Sequence, residues 1–136
     1  MMTRKLAEFV SSLSYSDIPG DAIEMARICF LDFLGVAMRG SSERSGLMAL
    51  RAMGKGSGGA TIIGHGRGDA ERAALLNGIF AHNLDLDDGH RGAQMHPGSC
   101  VIPAALAAAE TSGATFRDLI TAMVAGYEVA IFMGIL

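Results

Sequence analysis

Residues 77–98 have the sequence NGIFAHNLDLDDGHRGAQMHPG and join two apolar segments of the chain. Charged and imidazole side chains crowd the second half of this stretch: Asp85, Asp87, Asp88, His90, Arg91 and His96. Pro97 lacks a backbone N–H and favours an extended backbone at the preceding residue, so the His96 ring is held in one direction. The pattern predicts a polar loop between two buried helices, a common place for functional residues.

Helical signals extend from this loop toward the C-terminus. Residues 99–111 are rich in alanine and predict a helix that tolerates Pro103 in its first turn. Thr115 and Asp118 have the spacing of a capping box, which predicts a sixth helix running to the chain end.

The N-terminal half shows helical spacing as well. We predict helices over residues 3–13, 21–38 and 43–53, and a fourth that Asp69 caps and that ends near Leu84. Three side chains decide further details of these helices. Thr3 is expected to cap the first helix. Ile28 and Leu31 add a second apolar face to the second helix, which is therefore expected to be buried on most sides.

Residues 60–63 are the one β-like run, and at four residues they are expected to be too short for a sheet of their own. The chain is therefore predicted to be an all-α bundle with one short extended stretch.

Glycine dominates residues 54–68, which hold seven of the 18 glycines of the chain. The sequence GKGSGG at residues 54–59 formally matches the glycine pattern of dinucleotide-binding sites. That pattern requires a strand before it and a helix after it, and here the predicted order is reversed. The segment is therefore predicted to be a flexible connection, although His65 and Arg67 are candidates for contact with an anionic ligand.

Composition excludes several classes of protein. The 136 residues suffice for one domain, and with 50% apolar and 18% charged residues the chain is not a disordered segment. A net charge of −3 without a basic cluster argues against nucleic acid as the main partner. Charge or glycine interrupts the apolar runs within about 15 residues, so no bilayer span is predicted. Without a secretory signal and with two isolated cysteines, the expected location is the cytoplasm.

The residues of the polar loop leave three interpretations open. Asp85, Asp88, His90 and His96 offer the mixed oxygen and nitrogen ligands of a metal site. A histidine with carboxylates to orient it also suits metal-free acid/base chemistry. The third interpretation is a solvated loop whose aspartates cap helix ends.

Several motifs together resemble one family. Residues 77–90, the His96-Pro97-Gly98 sequence and residues 103–106 resemble the MmgE/PrpD family, which includes 2-methylcitrate dehydratase, cis-aconitate decarboxylase and iminodisuccinate epimerase. Further segments resemble the family in the same order: residues 31–37, 60–64 and 124–130. The resemblance covers nearly the whole chain. It implies that residues 1–136 form the first part of the helical domain of the family, without its second, α/β domain.

The resemblance also implies roles for residues of the loop. Asp85 and His96 match active-site positions of the family and are the predicted catalytic residues. His90 matches a frequent histidine, and Gly89 stands where the family often has a threonine, so both are predicted to lie at the substrate. Arg91 is the nearest cation for a carboxylate substrate and is predicted to bind it. The family uses no metal, and no cofactor is expected.

The expected function is that of a metal-free lyase or isomerase acting on a small di- or tricarboxylate. The leading reaction is dehydration of the 2-methylcitrate type, in which a proton α to a carboxylate is abstracted and water leaves. The resemblance further implies a homodimer, and the charge and hydropathy of the chain predict no nucleic-acid or membrane partner. The isolated chain is expected to be inactive, because the family has further catalytic lysines and a tyrosine downstream.

The alternative is a truncated or split helical module without catalytic activity. In that case the apolar side chains near its end are expected to drive self-association or to need a partner chain: Ile131, Phe132, Ile135 and Leu136.

Overall fold

A computed structural model of the protein describes residues 1–136, which form six α-helices and one small sheet. In chain order the elements are α1 (Met2–Ser12), a 3₁₀ turn (Tyr15–Asp17), α2 (Gly20–Gly40), α3 (Arg44–Met53), β1 (Ala60–Ile62), β2 (Gly66–Gly68), α4 (Ala70–His82), α5 (Gly98–Ser112) and α6 (Phe116–Ile135). The all-α class predicted from the sequence is confirmed. The predicted helix boundaries lie within about two residues of those observed.

Helix α4 is the centre of the bundle, and it packs against α2, α3 and α5. Its apolar face buries Leu76 and Phe80 completely, against Ile102 of α5 among other residues. Gly78 lets α5 approach closely, because a Cβ at this position would lie 2.6 Å from the Ser99 carbonyl oxygen. The two helices that flank the polar loop are therefore held directly against each other.

The short extended stretch forms a sheet, contrary to the prediction. β1 and β2 pair antiparallel with Ala60 opposite Gly68. The buried side chain of Asn77 on α4 completes the hydrogen bonding around β1: its Oδ1 accepts from the Ile63 N–H at 2.9 Å, and its Nδ2 donates to the Thr61 carbonyl at 2.8 Å. A hairpin that is marginal alone is stable here because a helix covers it and supplies hydrogen bonds.

The glycine-rich segment between α3 and β2 has structural contacts. Residues 54–59 follow a helix and precede a strand, which is the reverse of the dinucleotide-binding order. The Arg67 guanidinium donates to the Gly59 carbonyl, and the Nε2 atom of His65 lies 2.9 Å from the Ser41 carbonyl oxygen. The two side chains considered for an anionic ligand therefore bind the backbone instead.

Two expectations for the N-terminal helices are wrong. Helix α2 buries Ala26, Phe33 and Ala37, but Ile28 and Leu31 are exposed, because the bundle covers only one face of the helix. Thr3 does not cap α1, which begins one residue earlier, after Met1.

By length and composition, α6 is the one helix long and apolar enough to cross a membrane. Of its apolar 18-residue segment, 22% is buried inside the protein. No such segment is predicted from the interrupted apolar runs of the sequence. Leu119, Ile120 and Met123 of this helix are buried in the core, and the helix packs against α1, α2 and α5. These residues pack in the core, whereas most of the apolar segment of α6 is not fully buried. Beyond this core-facing surface, Ile135 and Leu136 are exposed at its C-terminal end.

We predict that Asn77→Ala lowers the free energy of unfolding by about 2–3 kcal/mol, because the Ile63 N–H and the Thr61 carbonyl lose their partner. Urea unfolding followed by circular dichroism measures the change. Glu71→Ala, on the exposed side of the same helix, is the control and should change stability by less than about 0.5 kcal/mol. Equal stabilities for both variants would contradict this role of Asn77.

A second prediction concerns the start of α6. Hydrogen bonds from the Thr115 hydroxyl and N–H hold the pKa of Asp118 below its ordinary value of 3.8. A lowered folded-state pKa stabilises the fold above the unfolded-state pKa, and this contribution is lost as the pH falls through the folded-state pKa. Asp118→Ala should therefore melt below the wild type at neutral pH, and the gap should narrow in acid. Glu8→Ala, at an exposed carboxylate, is the control; a pH-independent gap for Asp118→Ala would contradict the prediction.

Candidate active site

The polar loop runs from the C-terminal end of α4 to the N-terminal end of α5. His82 is the last residue of α4, and His96 lies two residues before α5 begins. Asn83 fastens the start of the loop to α2, because its Nδ2 donates to the Gly40 carbonyl at 3.0 Å. Asp85 has a φ of 54°, in the left-handed region that non-glycine residues rarely adopt. Such conformations persist where the surrounding structure imposes them, often at functional sites.

Asp87 is a buried carboxylate between two imidazole rings, and its side chain is only 3% exposed. Its Oδ2 lies 3.1 Å from Nδ1 of His82, and its Oδ1 lies 3.3 Å from Nδ1 of His96. The centres of the two imidazole rings are 4.9 Å apart, and the rings meet edge to face. The His96 Nδ1 atom is buried and makes no well-aligned hydrogen bond. Its interaction with Asp87 is therefore an ion-pair contact when the ring is protonated. A buried carboxylate is stabilised when an adjacent imidazole carries a proton.

The two nitrogens of His96 face different surroundings. Nδ1 faces the buried Asp87, whereas Nε2 lies 3.7 Å from Oδ1 of Asp85, whose side chain is 81% exposed. A carboxylate at one imidazole nitrogen fixes the tautomer and leaves the other nitrogen to exchange protons. This arrangement suits His96 as a general acid or base.

The three residues predicted at the substrate lie beside His96. Gly89, His90 and Arg91 line an open cleft of about 450 Å³ together with His96 itself. Arg91 is exposed. His90 holds the turn, because its Nδ1 accepts from the Ala93 N–H at 3.0 Å.

Asp88 faces away from the cleft. Its Oδ1 accepts from the Gly98 N–H at 2.9 Å, and its Oδ2 accepts from the Tyr127 hydroxyl at 2.7 Å. Burial, followed by the hydrogen bond to Asp88, raises the pKa of Tyr127. Burial, followed by the charge of Asp88, also raises the pKa of the Cys29 thiol.

The set of possible metal ligands differs from the one proposed on sequence alone. Asp85 and His96 are present in both sets, but Asp88 and His90 point elsewhere. His82 and Asp87 take their places, and the ligand atoms of these four residues lie within 4.8 Å of one another: His82, Asp85, Asp87 and His96. Two imidazoles and two carboxylates form a donor set that divalent transition metals accept.

His82 and Asp87 are the members of the site that sequence reasoning missed. Both lie within the motif that carried the resemblance. In the sequence, His82 falls within a predicted helix, and Asp87 is one of three neighbouring aspartates. For His82, the signal in the sequence was its position at the end of a predicted helix. A residue in the last turn of a helix can point its side chain into the loop that follows.

Comparison with known proteins agrees with the motif. Residues 4–135 match the N-terminal domain of the MmgE/PrpD family. The chain belongs to this family. Among curated relatives, a cis-aconitate decarboxylase-like protein of Aspergillus oryzae is 33% identical over 93% of the chain, and a cis-aconitate decarboxylase of Aspergillus terreus is 32% identical over the same share. The chain spans 28% of the length of each of these relatives.

We predict different tautomers for the histidines of this MmgE/PrpD domain. His90 should carry its proton on Nε2, because its Nδ1 accepts a backbone hydrogen bond. His82 and His96 should be protonated on Nδ1, which faces the Asp87 carboxylate. Long-range ¹⁵N–¹H correlation spectra at neutral pH distinguish these forms.

The control for this measurement is Asp87→Asn, which removes the charge and nearly preserves the shape. It should abolish the Nδ1 preference of His82 and His96 and leave His90 unchanged. A His90 ring protonated on Nδ1, or His82 and His96 rings indifferent to the substitution, would contradict the arrangement.

Proposed function

We propose that this MmgE/PrpD domain supplies the acid/base part of the active site of a lyase that acts on a small di- or tricarboxylate. One observation carries the proposal: His96 lines the cleft, its Nδ1 lies against the buried carboxylate of Asp87, and its Nε2 lies near the exposed Asp85. The cleft also offers Arg91 as a cation for a substrate carboxylate.

Breaking a bond next to a carboxylate leaves negative charge that the enzyme must stabilise. A protonated His96, backed by Asp87, can donate a proton to a developing carbanion or a hydrogen bond to an oxyanion. The same ring in its neutral form can accept a proton at Nε2. Asp85, 3.7 Å from that nitrogen, orients the ring or a substrate hydroxyl. Gly89 adjoins the ring, since a Cβ there would lie in van der Waals contact, 3.9 Å from Cε1 of His96.

Two reactions fit this chemistry, and the named relatives favour the first. In decarboxylation of cis-aconitate, the bond to one carboxylate carbon breaks, CO₂ leaves, and His96 delivers a proton to the carbon that keeps the electron pair. In dehydration of 2-methylcitrate, His96 removes a proton α to a carboxylate and returns it to the departing hydroxyl group, which leaves as water. The first is supported by the activity for which the relatives are named, and the second by the motif resemblance. A cytoplasmic homodimer without nucleic-acid or membrane partners stays a prediction.

The proximity of His82, Asp85, Asp87 and His96 favours a second candidate, a divalent metal site. Thermal unfolding with and without added Zn²⁺ separates the two candidates. A ligand that binds the native state raises its melting temperature. Zinc-dependent stabilisation that is lost in Asp87→Asn would favour the metal site over the metal-free proposal.

The decisive variant is His96→Ala in the complete protein that contains this domain. Loss of a positioned general acid or base lowers turnover by about 10²–10⁴-fold, and we expect a loss in this range. Turnover is measured as CO₂ release from cis-aconitate and as the near-ultraviolet absorbance of the dehydration product of 2-methylcitrate.

His65→Ala is the matched control, because His65 contacts the Ser41 backbone and lies outside the cleft. It should retain turnover, with melting curves confirming that both variants are folded. Wild-type turnover in folded His96→Ala would remove this residue from the mechanism.

A further inference from the structure

The two adjacent aspartates of the loop point in opposite directions. Asp87 contacts the imidazoles of His82 and His96, whereas Asp88 contacts the first residue of α5 and a tyrosine of α6. The proposed chemistry uses Asp87 and leaves Asp88 without a role. The hydrogen bonds of Asp88 indicate what it does.

Both carboxylate oxygens of Asp88 are used. Oδ1 accepts from the N–H of Gly98, which begins α5 and has no partner within the helix. The positive end of a helix also favours a carboxylate at this position. Gly98 is required here, because a Cβ would overlap Asp88 and lie 2.7 Å from the Tyr127 hydroxyl oxygen.

Tyr127 provides the second hydrogen bond from α6, 39 residues further along the chain. Its pKa is raised, first by burial and then by Asp88, so the phenol stays protonated and remains a donor. The neighbouring Cys29 of α2 also remains a neutral thiol, because burial and the Asp88 charge raise its pKa. Two helices, α5 and α6, therefore donate hydrogen bonds to one carboxylate.

We propose that Asp88 and Tyr127 are positioning residues that hold His96 against Asp87, an inference that rests on the proposed role of His96. Asp88 is covalently next to Asp87, and Gly98 is two residues from His96. The Asp88–Gly98 hydrogen bond thus ties together the two chain segments that carry the acid/base pair, and Tyr127 fixes this junction to α6. Neither residue touches the cleft.

The backbone around His96, next to the Asp88–Gly98 hydrogen bond, is restrained by further contacts. Pro97 fixes its own φ, observed at −66°. The Ser99 hydroxyl donates to the His96 carbonyl at 2.9 Å. With this much restraint, the direction of the His96 ring depends on where α5 begins relative to Asp88.

Tyr127→Phe tests the proposal, because it removes one hydroxyl and preserves the ring. We expect the imidazole ¹⁵N signals of His96 to shift, because its ring loses its fixed position against Asp87. The signals of His65, whose ring contacts Ser41 instead, should not move. In the complete protein, kcat should fall about tenfold with KM changed less than twofold, as for a misplaced catalytic group.

Tyr15→Phe is the matched control, since Tyr15 is the only other tyrosine and its hydroxyl contacts Arg27 at 3.5 Å, outside the loop. It should leave the His96 signals and kcat unchanged. Unchanged His96 signals in folded Tyr127→Phe would overturn the proposal, even if stability falls, because that is the result of a merely structural role.

If Tyr127→Phe does not fold, Asp88→Asn gives the same readout. The asparagine has one accepting oxygen, so it can keep the hydrogen bond from Gly98 or the one from Tyr127 but not both in their present geometry. The His96 signals should therefore shift again. The spectra do not depend on turnover. Shifted signals combined with an active His96→Ala enzyme would support the positioning contact and refute the proposed function.

Discussion

The close contact of α4 and α5 at Gly78 determines the geometry of the rest of the molecule. Because no side chain separates the helices there, the C-terminal part of α4 lies against the first turn of α5, and the loop between them must fold back on itself. His82 and His96, at opposite ends of this loop, then come within 4.9 Å. The same helix pair provides the buried apolar surface, around Phe80 and Ile102, that supports the loop.

The three aspartates of the loop differ in burial and in the groups that they contact. Asp87 is almost fully buried and faces two imidazoles, Asp85 stands in solvent beside Nε2 of His96, and Asp88 binds backbone and phenol donors. Three aspartates in one loop therefore have three environments and three roles. A carboxylate removed from water interacts more strongly with an adjacent imidazolium than an exposed one does. In the proposed mechanism, the buried Asp87 is thus the group that orients and charges His96 for proton transfer.

The sequence predicted what local periodicity and motif resemblance encode. Helix positions, the Asp69 and Thr115 caps and the family followed from spacing and from the loop motif. Contacts between distant segments were not predictable in this way. The β1–β2 hairpin depends on the buried Asn77 from a helix, and the exposed Leu31 depends on how little of α2 the bundle covers. His82 and Asp87 escaped notice for the same reason, since only the folded loop distinguishes them from their neighbours.

The most direct test of the central claim is a crystal structure of the complete protein with bound tricarballylate, an unreactive tricarboxylate that resembles cis-aconitate. The account predicts a carboxylate or backbone carbon of the ligand within about 3.5 Å of Nε2 of His96, with Arg91 on another carboxylate and Asp87 behind the ring at Nδ1. A ligand bound elsewhere, with Nε2 of His96 open to solvent, would contradict it.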